Sequence, residues 1–69
     1  MANYQVILQS ANGHDGAWLD YCREPIEADN DTSANEQALA MVRQLKTQLD
    51  CDARARIEDW DSPCRRWNV

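Results

Sequence analysis

The chain has little of what most chemistry requires. Its 69 residues include one histidine, three cysteines, two glycines and two prolines. No stretch approaches the roughly 18 consecutive apolar residues of a membrane span. The start, Met1-Ala2-Asn3-Tyr4-Gln5, carries neither a basic segment nor a long apolar one, so a cytoplasmic protein without membrane association is expected. Gly13 and Gly16 stand three apart with no lysine or glycine after them, which matches no phosphate-cradling loop. Cys22, Cys51 and Cys64 are spaced too widely for a Cys-x-x-Cys clamp, and an odd count without a secretion signal reads as reduced thiols. Together with His14 they would make four zinc ligands. Structural zinc sites draw their ligands in close pairs, however, so zinc and a Cys22–Cys64 disulfide both rank behind free thiols.

Catalysis finds no foothold either. His14 sits in the loop Asn12–Gly16, and no Ser/His/Asp or Cys/His arrangement accompanies it. Glu24, Glu27, Asp29 and Asp31 fall in a polar connection, whereas acid–base work needs carboxylates that are desolvated or coupled inside a pocket. No catalytic residue, cofactor or metal site is predicted.

Positive charge is scarce in one half of the chain. Residues 1–42 hold seven acids and a single base, Arg23, while residues 43–69 hold six bases and five acids; the whole carries a net charge of -5. That balance disfavours direct binding to nucleic acid or anionic lipid. It also leaves an acidic half beside an almost neutral, arginine-bearing half, which suggests either a polar partner surface or a well-solvated N-terminal half.

What is present is pattern. Ser33 and Glu36 are spaced as a capping box, and Ala38, Val42, Leu45 and Leu49, flanked by Leu39 and Met41, recur at helical spacing. These features predict one amphipathic helix over 34–50, with acids near its start and Arg43 and Lys46 further along, in accord with the helix dipole. Tyr4–Gln9 reads as a strand with Tyr4, Val6 and Leu8 on one face and Gln5, Ile7 and Gln9 on the other. The Asn12-Gly13 turn leads to a second strand, Ala17–Arg23, whose end Glu24-Pro25 should bend. After the helix, Ala53–Trp60 alternates, with Ala53, Ala55 and Ile57 toward the helix and Arg54, Arg56, Glu58 and Trp60 away from it. Asp61-Ser62-Pro63 is turn chemistry, and Cys64–Val69 returns as a fourth strand.

The expected fold is therefore α+β, a small antiparallel sheet in the order ββαββ with one helix on one face, all within one domain, residues 1–69. A domain this small buries only about 60% of its unfolded surface, so a homodimer or a tight partner would add stability. In size and element order alone, the layout resembles small ββαββ proteins carried by phages and mobile elements, some anti-CRISPR proteins among them. That resemblance implies action by occupying a surface of a larger complex; it transfers no site residue.

With the helix on one face, the other face is left for a partner. Arg54, Arg56 and Trp60, with Arg65 and Trp67 nearby, are the expected binding residues, because planar guanidinium groups and broad rings give large contacts at modest entropic cost. The sequence reading is a small non-catalytic module that binds another protein through this sheet face. The alternative is an acidic nucleic-acid mimic that blocks a nucleic-acid-handling complex, with Asp15, Asp20, Glu24, Glu27, Asp29 and Asp31 as phosphate surrogates. A small enzyme or metal protein comes third.

Overall fold

The computed structural model describes residues 1–62 and 64–69. Strand β1 (Ala2–Ser10) is followed by β2 (Leu19–Ala28), helix α1 (Asp31–Leu49), β3 (Ala53–Asp59) and β4 (Arg66–Asn68). All pairings are antiparallel, and the spatial order is β2-β1-β3-β4. The α+β class and the ββαββ order are those read from the sequence.

Alternation along β1 decides where the core sits. Tyr4, Val6 and Leu8 point to the helix side, where register places Ile57 opposite Val6 and Ala55 opposite Leu8. Above them α1 lays down Ala34, Ala38, Val42 and Leu45, all buried. Small buried residues on both elements, Ala34 and Ala38 of the helix and Ala53 and Ala55 of β3, let the helix approach the sheet closely. Leu49 and Met41 are only partly covered, and Leu39 lies outside the stripe with 41% of its surface exposed.

The helix begins earlier than its capping-box spacing indicates. Asn30 is the N-cap, its Oδ1 accepting the Ser33 N–H at 2.9 Å. Ser33 thus sits inside the first turn and does not cap it. Asparagine and serine cap about equally well, so tertiary contacts decide: the extra turn carries Asp31 to the Tyr4 hydroxyl and to Arg65 and drops Ala34 into the core. At the other end Asp50 takes the left-handed conformation (φ 51°, ψ 41°) and returns its N–H to the Lys46 carbonyl.

Strand β2 departs furthest from expectation. It spans Leu19–Ala28 rather than 17–23, and Pro25 lies within the strand, opposite Gln5, without ending it. An edge strand tolerates proline because half of its N–H groups face outward and bond no neighbour. A register shift between Leu8 and Gln9 breaks the alternation. Leu19, which register still sets opposite the buried Ser10, and Tyr21 are each 49% exposed, while Ile26 and Ala28 join the core and Cys22 packs against it. The Glu27 carbonyl accepts Gln37 Nε2 at 2.9 Å, tying the strand's end to the helix.

The β1–β2 connection needs glycine at one point in particular. A Cβ on Gly13 would stand 2.8 Å from the Ala17 carbonyl oxygen, which accepts the Gly13 N–H in the loop's closing hydrogen bond. Strand β4 is shorter than its predicted span, three residues in place of six. Pro63, part of the predicted turn before it, lies outside the described residues.

Candidate functional site

Opposite the helix lies a face over which, among the described residues, no element packs. Register assigns to it Gln5, Ile7 and Gln9 of β1, Arg23, Pro25 and Glu27 of β2, Arg54, Arg56 and Glu58 of β3, and Arg66 and Asn68 of β4. Its centre is Ile7, which is completely buried. Arg23 and Arg56 stand directly opposite it on the two neighbouring strands, close enough for their aliphatic stems to roof it. Arg56 is held down further by Glu58, with 3.3 Å between Nη2 and the carboxylate. Its Nε is buried and has no hydrogen-bond partner among the described residues. A guanidinium nitrogen removed from water without a partner is costly, so this arginine has an unmet demand for an acceptor.

One end of the face is organised around Trp18. The Arg54 guanidinium lies over its ring, 4.1 Å from the centroid. Arg54 Nε donates to Gln9 Oε1 at 2.7 Å, and Gln9 Nε2 donates to Asp20 at 2.8 Å, forming a polar chain across β3, β1 and β2. Trp18 falls inside the second strand read from the sequence, but it precedes β2, which begins at Leu19, and from this irregular position two residues before Asp20 it lies beneath Arg54. At the opposite end Trp60, 56% exposed, leaves β3 but keeps one ladder-like bond, its N–H donated to the Asn3 carbonyl at 3.0 Å. A cleft of about 380 Å³ lies beside it, lined by Asn3, Tyr4, Pro25, Ile26, Glu27 and Trp60.

The five expected partner-binding residues are thus divided. Arg54 and Arg56 lie on the open face by register, with Trp60 at its end, whereas Arg65 and Trp67 belong to the helix side. Trp67 pairs with Ile57, packs edge-on against the Tyr4 ring with 6.2 Å between centroids and donates its indole N–H to Asn35 at 2.7 Å. Arg65 bridges two carboxylates, Asp31 at 2.8 Å and Asp59 at 2.7 Å. Tyr4 completes this clasp by donating its hydroxyl to Asp31, and that hydrogen bond, then burial and the charges of Asp31 and Asp59, raise its pKa above the ordinary 10.0. Two residues of β4 do reach the open face by register, Arg66 opposite Glu58 and Asn68 opposite Arg56.

The acidic residues do not gather into one array. Asp15 lies in the 3₁₀ turn His14–Gly16, Asp20 and Glu27 on the open face and Glu24 on the helix side of β2, and Asp29 and Asp31 around the start of α1. Cys22, Cys51 and Cys64 are free thiols. Burial, helped by the Glu24 carboxylate, pushes the Cys22 thiol up, away from the reactive thiolate form. Among the described residues no three potential metal ligands come together, and no helix is long and apolar enough to cross a membrane. Comparison of this chain with protein-family models, with curated proteins and with solved structures finds no match.

Proposed function

We propose that the protein is a small non-catalytic interaction module whose open sheet face seats a protein partner presenting carboxylates. The observation that carries this reading is the guanidinium of Arg56, whose buried Nε has no acceptor among the described residues, in the middle of a face bearing four arginines and three carboxylates on a chain whose net charge is -5. Among the described residues neither Arg23 nor Arg66 forms an ion pair. Both are available to a partner, as is the part of the Arg54 guanidinium that Gln9 does not use. Trp18 and Trp60 at the two ends supply the broad rings that dominate such contacts.

The reading is tested by affinity capture from the source cell. Arg54→Ala and Arg56→Met should each weaken retention of the partner by more than ~1 kcal/mol; methionine keeps an apolar roof over Ile7 while removing the charge. Neutralising Asp29→Asn together with Glu36→Gln, near the start of the helix, should leave retention nearly unchanged.

The acidic-mimic reading has one observation in its favour. Away from the open face, nine carboxylates face three bases. It is the weaker reading, because Asp31 is already engaged by Tyr4 and Arg65, and Asp20 by Gln9. It requires the reverse mutational pattern together with a steep loss of capture as salt rises. Equal capture by both sets of variants would sink both readings.

A further inference from the structure

The cleft beside Trp60 differs in character from the face it adjoins. Its six lining residues include one charged side chain, Glu27, and no base, although arginines crowd the rest of the face. Pro25 and Glu27 stand two residues apart on β2 and Asn3 lies opposite Glu27 on β1, so the three point to the same side of the sheet. Trp60 closes the third side, held by its backbone bond to Asn3. The volume of about 380 Å³ falls at the low end of ligand pockets, which run from about 300 to 1,000 Å³.

An exposed indole, a proline ring, one carboxylate and one carboxamide define a narrow ligand chemistry. The indole face carries negative quadrupolar charge and attracts cations. Glu27 supplies the countercharge, Asn3 Oδ1 an acceptor, and Pro25 an apolar wall for a hydrocarbon stem. An anion would meet only repulsion from Glu27. We propose that this cleft is a binding site for an alkylammonium group, specifically the side chain of a lysine. The site rests on its own lining and stands whether or not the arginine face binds a partner.

The experiment follows indole N–H resonances of the full chain by NMR at constant ionic strength while n-butylammonium chloride is titrated in, with sodium butyrate and n-butanol as controls. Butylammonium should shift the Trp60 indole and the Asn3 side-chain amide saturably, in the millimolar range, and leave the Trp67 indole, locked to Asn35, unmoved. N-acetyl-lysine-N-methylamide should do the same at equal or lower concentration. Glu27→Gln should weaken binding about threefold and Trp60→Ala about fivefold or more, with the unchanged Trp67 resonance showing that each variant is folded. Absence of a saturable shift at about 100 mM overturns the site. An equal response to butyrate or butanol also overturns it, reducing the cleft to a general apolar crevice. Binding of butylammonium without binding of the lysine amide overturns the assignment to lysine.

Discussion

On the helix side of the sheet, Val6, Leu8, Ala55 and Ile57 are buried by an element that the chain folds back over them; on the open side, Ile7 reaches the same complete burial with no element above it. The first arrangement uses alanines and aliphatics on both partners and excludes water by layering. On the second, register sets the long side chains of Arg23 and Arg56 on either side of Ile7, where their stems are placed to cover it. A face that looks polar in composition can therefore hold a structural residue at its centre, and the arginines above it have two roles at once. They keep water from Ile7 and present donors to whatever approaches.

The comparison breaks if Ile7 proves dispensable. Leu45→Ala, in the helix-side core, and Ile7→Ala, on the open face, should each cost about 2–5 kcal/mol by urea denaturation, a large part of the stability of so small a domain. An Ile7→Ala cost below ~0.5 kcal/mol would mean that the arginine stems are not a roof.

A smaller effect is expected at the clasp that joins the helix side to β4. Tyr4→Phe removes the hydroxyl donated to Asp31 and should lower the denaturation midpoint at neutral pH. Because the folded chain holds this hydroxyl above the ordinary 10.0, its contribution is fully present below about pH 10 and is lost as pH rises through the folded value, where the unfolded chain has already ionised. Wild type should accordingly lose stability on the alkaline side more steeply than Tyr4→Phe. Parallel alkaline profiles for the two proteins would refute the assignment.

The smallest effect concerns the end of the helix. Asp50 is a non-glycine residue at φ 51° and places a negative charge at the negative end of the helix dipole. Asp50→Gly relieves both and should raise stability by about 0.5–1 kcal/mol in the same denaturation series.

Much of this molecule was legible as period. The run Ala53-Arg54-Ala55-Arg56-Ile57 alternates so regularly that both faces of β3 could be assigned, and the stripe Ala38, Val42 and Leu45 placed the helix over them. What period alone could not supply was phase where the pattern is short or interrupted. In β4, three residues long, a shift of one residue exchanges Trp67 for Arg66 on the open face, and only pairing with Ile57 and Glu58 fixes which one turns inward. In β2 the register break beside Leu8 interrupts the alternation, Leu19 and Tyr21 stay half-exposed, and Pro25 imitates a strand end. Of the open face, Arg54, Arg56 and Trp60 were readable. Trp18 was not, since its partnership with Arg54 is made across the sheet from a segment without regular structure.

The rim formed by β2 has a bearing on the behaviour of the chain in concentrated solution. Fibrils grow when a bare strand edge templates an incoming strand, bond by bond, and a ten-residue edge would ordinarily be an invitation. Here Pro25 has no N–H to offer the newcomer, the Glu27 carbonyl is already occupied by Gln37, and the break in register near Leu8 twists the other half of the rim out of line. Cross-β growth from this side has no uninterrupted template, and the opposite rim, β4, is too short to serve as one. A chain that leaves a whole sheet face open to solvent is thereby guarded at both margins of that sheet against polymerising with its own copies.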